Sequence, residues 1–193
     1  MKTLYSLLCL FMLSIGAYAQ ITTTFPQVTT ALRDGVLTIK EGDAMGRPSD
    51  ALYKSVTDSA NALLKKNPAD TNALFLTALM ESQKFILLSG LKDVRLPALQ
   101  KAETAINKAF DNGISSLTAK ALRARIYYQL KECFYTDEGW MYKNDDRKKR
   151  KALFERYQEL ANKYNGEMIT LDPSGTGQYK SIIKEEKYRL EVK

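Results

Sequence analysis

The chain has 193 residues, 29 lysines and arginines against 22 acids, and no histidine. That length is enough for one domain to bury a real core. The missing imidazole removes histidine-based triads, cysteine–histidine dyads and the usual zinc sites, and the formal charge of +7 permits attraction to anionic surfaces.

The chain opens with Lys2, an apolar run from Leu4 to Ile15, and Ala17-Tyr18-Ala19 before Gln20. This is the pattern of a secretory signal peptide cut after Ala19, and the run is short for a membrane span. The expectation is export to a periplasm or cell envelope. Residues 1–19 would leave, 20–48 would form an N-terminal extension, and 49–193 would form one helical domain. Cys9 lies inside the apolar run, which argues against a lipid anchor. Its loss leaves Cys133 as the sole cysteine, so an intramolecular disulfide is not expected. Cys133 reads as a small buried hydrophobe at a helix end. Export and the lack of nucleic-acid-reading motifs count against a nucleic-acid partner.

Within the extension, Ile21 to Phe25 is β-prone. Val28, Ala31, Leu32, Val36 and Ile39 fall at helical spacing, weakened by Gly35, with a short strand over Val36 to Ile39 as the alternative. Residues 41–48 are breaker-rich and read as a loop. Ser49 or Asp50 caps a helix to about Asn67, with Leu52, Val56, Ala60, Leu63 and Leu64 on its buried face. Asn67-Pro68 ends it, and Asp70 or Thr71 caps the next, from Asn72 to about Leu88.

The central stretch runs from Leu96 to Leu130 and reads as an antiparallel helical hairpin. Leu99, Ala102, Ala105, Ile106 and Ala109 share one helical face. Asp111-Asn112-Gly113 makes the break, and Ala121, Leu122, Ala124, Ile126 and Tyr127 continue the apolar rhythm. After an aromatic segment, Asn144-Asp145-Asp146 should cap a helix from Arg147 to Tyr164, with Leu153, Tyr157, Leu160, Ala161 and Tyr164 inward. Asn165-Gly166 should close it. Residues 172–177 read as a loop, and Gln178 to about Leu190 as a final amphipathic helix.

These pairs make the fold class all-α. Leu63 to Asp70, followed by Ala73 to Ala78, resembles the junction between two tetratricopeptide repeats, with Leu74 and Ala78 as the large and small residues of the family's first helix. Ala102, Ile106 and Ala109 are similar to the second helix, and Ala124 to the next first helix. The likeness covers roughly 49–130 and more faintly 147–164. Ile114 stands where the turn proline would be, and residues 133–147 form an insertion. The resemblance implies antiparallel helical hairpins stacked as a short TPR-like superhelix, against the alternative of a plain helical bundle. It also implies a groove lined by first helices, with Asn72, Phe75, Leu79, Arg125, Tyr128 and Gln129 as partner contacts, Phe75 and Leu79 equally readable as core.

Two further features invite a functional reading. Phe134, Tyr135, Trp140, Met141 and Tyr142 offer a platform for a sugar or peptide, or a cover for the core. Residues 147–151 (Arg-Lys-Lys-Arg-Lys) form a basic run suited to an anionic partner or to solvent. Asp145 and Asp146 lack the ligand spacing of a calcium loop. No cofactor, metal or catalytic constellation is implied. The function expected is an exported, non-enzymatic module that binds a protein or peptide partner in the envelope. The alternative is a small-ligand or glycan binder using residues 134–142.

Overall fold

The computed structural model describes residues 21–24, 28–41, 44–45, 49–84, 92–135 and 141–190. The chain is mostly helical, as an all-α class requires. A small antiparallel sheet precedes the helices, in the order β1 (Ile21–Thr24), β2 (Thr29–Arg33), β3 (Val36–Glu41), β4 (Ala44–Met45). The helix expected over Val28 to Ile39 is therefore replaced by strands. Arg33 pairs with Val36, leaving Asp34 and Gly35 as a two-residue loop. Both have positive φ, 49° and 78°, the twist of a type I′ turn that suits paired strands. Apolar spacing alone favoured the helix; the Asp-Gly dipeptide decides for the hairpin.

Among the described residues six helices follow: α1 (Asp50–Lys66), α2 (Thr71–Gln83), α3 (Lys92–Asp111), α4 (Leu117–Tyr135), α5 (Asn144–Leu171) and, after a 3-10 turn over Pro173–Gly175, α6 (Thr176–Ile182). The Ser49 side chain accepts from the Leu52 amide at 3.1 Å and Asp70 accepts from the Ala73 amide at 2.8 Å, each satisfying a donor the helix leaves open. Between α3 and α4, Gly113 takes φ 94°. The Ile114 amide donates to the Ala109 carbonyl at 3.0 Å and the Gly113 amide to Phe110 at 2.9 Å. This paired closure needs a residue that tolerates left-handed backbone.

Each helix packs on the next, and α2 also reaches α4. The small residues let the axes approach: Ala73, Ala78, Ala102, Ala109, Ala119 and Ala124 are all buried. Tyr157 of α5 stacks on Phe134 with centroids 5.7 Å apart, and its hydroxyl donates to the Glu103 carboxylate at 3.1 Å. Arg156 donates to the other Glu103 oxygen at 3.0 Å. The buried carboxylate is thus paired and hydrogen-bonded, as burial demands. Cys133 is buried within this core.

Three boundaries differ from expectation. Helix α5 runs through Asn165-Gly166 to Leu171. Asn165 is buried and donates to the Ala161 carbonyl at 2.8 Å, while Met168 is buried one turn on, so packing overrides the breaker pair. The cap position of α5 is Lys143, and Asp145 and Asp146 lie in its first turn, where they favour the positive helix end. The last helix spans Thr176–Ile182 alone. Beyond it the chain is held by side-chain amides of α5. Asn162 bonds both the carbonyl and the amide of Lys184, at 3.1 and 3.2 Å. Gln158 accepts from the Glu186 amide at 2.9 Å. Leu63, expected inward, is 39 % exposed.

Among the described residues, no helix is long and apolar enough to cross a membrane.

Candidate binding site

Arg125, Tyr128 and Gln129 lie on one face of α4, and the sheet packs on that helix. The Arg125 guanidinium donates to the Leu37 carbonyl of β3 at 2.6 Å. It therefore bonds the backbone of an extended strand rather than a side chain. Burial lowers the Arg125 pKa, yet an arginine remains charged in protein surroundings.

Between hairpin and helices lies a cavity of about 310 Å³. Gly35, Val36 and Leu37 form one wall. Ala121, Arg125, Tyr128 and Gln129 of α4 form the floor. Arg95 of α3, Asn165 of α5 and residues Gln178, Tyr179 and Ile182 of α6 complete it. The size falls at the lower end of small-molecule sites.

Two close contacts fix the hairpin's position. A Cβ built on Gly175 would meet the backbone of Gly35, so both positions require glycine for the approach. Tyr179 lies beneath, donating to the Asp172 carboxylate at 2.6 Å. Burial first, and then that carboxylate, raise the Tyr179 pKa, so the phenol stays protonated as a donor. Burial likewise raises the pKa of Tyr128.

Charge in the cavity is one-sided. Arg95 and Arg125 line it, and among the described residues no acidic side chain does. Neither arginine has a carboxylate partner among the described residues. Gln129 is 5 % exposed, and its Oε1 has no hydrogen-bond partner among the described residues. A buried acceptor left unpaired costs about 1–3 kcal/mol.

The other expected contacts are scattered. Asn72 is exposed at the start of α2. Phe75 and Leu79 are wholly buried, so both belong to the core and the partner-contact reading of Phe75 gives way. In the aromatic segment, Phe134 is buried. Tyr135 stacks on Phe154 at 6.2 Å, with Arg189 over its ring. Tyr142 lies under the Arg150 guanidinium at 4.3 Å. Trp140 lies outside the described residues. These aromatics pack against neighbours and form no open platform among the described residues.

The basic run is partly committed too. Arg147 donates to the Tyr142 carbonyl at 2.9 Å, Arg150 covers two rings, and Lys151 pairs with Glu155 at 3.7 Å.

Sequence reasoning missed Arg95, Val36, Leu37 and the α6 residues as part of the site. The signal for the hairpin was Asp34-Gly35. Nothing local in the sequence marks Arg95, which reaches the site only through the packing of α3 and α4.

No protein-family model matches this chain, and comparisons with curated proteins and with solved structures return no match.

Proposed function

We propose that this chain is an exported, non-enzymatic binding module of TPR-like helical pairs. Its signal peptide is cut after Ala19, and it takes a protein or peptide partner in the periplasm or cell envelope. The binding face is the cavity over α4. The observation that carries this reading is the 2.6 Å bond from Arg125 to the Leu37 carbonyl. A helical face that already holds extended backbone, next to open space, is suited to extended polypeptide.

The absence of histidine and, among the described residues, the lack of opposed acids in the cavity support binding over catalysis. Paired helices with small buried residues support the repeat-like arrangement.

A photo-crosslinking residue at Val36, which is exposed and borders the cavity, tests it in the native envelope. A polypeptide adduct at position 36, and none from Lys148 on the outer first turn of α5, is expected. Equal adducts from both positions, or none from position 36, overturn the assignment of the face.

A further inference from the structure

We infer that the cavity over α4 recognises a free carboxylate on an apolar residue, the chemistry of a peptide C-terminus or an N-acylated amino acid. This rests on the binding-module reading and names what that module reads.

Two observations carry it. First, Arg95 and Arg125 both border the cavity, and among the described residues no acid does. Two guanidiniums without a carboxylate among the described residues form an anion site waiting for its charge. Arg125 gives one nitrogen to Leu37, and this bond also locks the fork against the cavity wall.

Second, Val36, Leu37 and Ile182 add apolar wall. The volume of about 310 Å³ suits one residue with an apolar side chain rather than a folded domain. An aliphatic C-terminal residue fits both features.

The full mature chain is titrated by calorimetry with acetyl-leucine, with acetyl-leucine amide, with acetyl-glycyl-leucine and with inorganic phosphate. The two acids are expected to bind at least roughly tenfold more tightly than the amide and than phosphate. Arg95→Gln, a half-buried position near the start of α3, is expected to weaken the acids about tenfold. Val36→Ser, at an exposed position of the apolar wall, is expected to weaken acetyl-leucine while leaving phosphate binding unchanged.

Equal binding of acid and amide, phosphate as tight as the acids, or acid binding indifferent to Arg95→Gln would each overturn the inference. If the Val36 adduct persists in that case, the binding-module reading stands and carboxylate recognition falls. If the adduct is missing, that reading falls whatever the titration returns. Tighter binding of acetyl-glycyl-leucine than of acetyl-leucine identifies a peptide terminus as the source, and the reverse identifies a free acylated amino acid.

Discussion

Replacing Gly175 with alanine drives a methyl group into the backbone of the β2–β3 turn. The backbone at Gly175 has φ −89° and ψ 3°, the ordinary geometry of the third residue of a type I turn and open to alanine, so the main effect is contact. The new Cβ would lie 2.5 Å from the Gly35 nitrogen and 2.6 Å from Tyr179 Cε2. Ordinary carbon contacts are about 3.5–4.0 Å, so hairpin and 3-10 turn must part by about 1 Å. Overpacking of this kind costs about 1–3 kcal/mol. In a chain of this size that lowers Tm by about 2–12 °C.

The loss should be local as well as global. Amide exchange over residues 29–41 should speed up, because the turn is what α6 clamps. Gly177→Ala is the control, since nothing lies within 4 Å of its Cβ, and it should melt no lower than the parent chain. Circular dichroism melts with exchange measured by mass spectrometry provide the assay. A Gly175→Ala chain that melts like the parent, with the hairpin still protected, refutes the seating of the hairpin against the 3-10 turn.

Gly166→Ala should raise stability by about 0.5–1 kcal/mol, since it lies inside α5 with open space around it; an unfolding midpoint in urea that falls instead shows a helix end there. Burial, and then the Glu103 carboxylate, push the Tyr157 hydroxyl from 10.0 up to about 12. The fold holds that proton more tightly than the unfolded chain does. The contribution is therefore present below pH 10 and lost as pH rises through 12, on the order of 2 kcal/mol. Urea unfolding of Tyr157→Phe should show a shallower alkaline decline, and parallel declines would contradict it. Lys131 is 2 % exposed and bonds Glu186 at 2.7 Å and Glu132 at 3.0 Å. Burial opposes its charge, but the two carboxylates outweigh this and raise its pKa. Lys131→Met should cost about 2 kcal/mol and expose residues 183–190 to trypsin. Unchanged cleavage at Lys184 and Lys187 would show that the tail is held by α5 alone.

Much of the helical frame was legible because its signals are local. Ser49, Asp70, Pro68 and Gly113 act within one turn of themselves, and capping chemistry reads directly from residue type. The alanine-rich faces of α3 and α4 are also local, since spacing of three and four defines a face. The failures share a different cause. Asn165-Gly166 carries a breaker signal, but Asn165 and Met168 are buried against the rest of the fold, and a propensity of about 1 kcal/mol yields to that. The tail after Ile182 keeps an amphipathic pattern, yet Gln158 and Asn162 capture its backbone in extended form. The same tertiary reason governs the site. Arg125, Tyr128 and Gln129 are placed together by one helix, and the spacing of α4 showed it. Arg95, Leu37 and Ile182 join them from three other segments, and no period in the sequence connects those segments.

The most direct test reverses the charge that the cavity presents. With the crosslinking residue at Val36, Arg95→Glu should abolish the polypeptide adduct, while Lys148→Glu on α5 should leave its yield unchanged. An adduct that survives Arg95→Glu undiminished would contradict the reading of this cavity as the place where a partner binds.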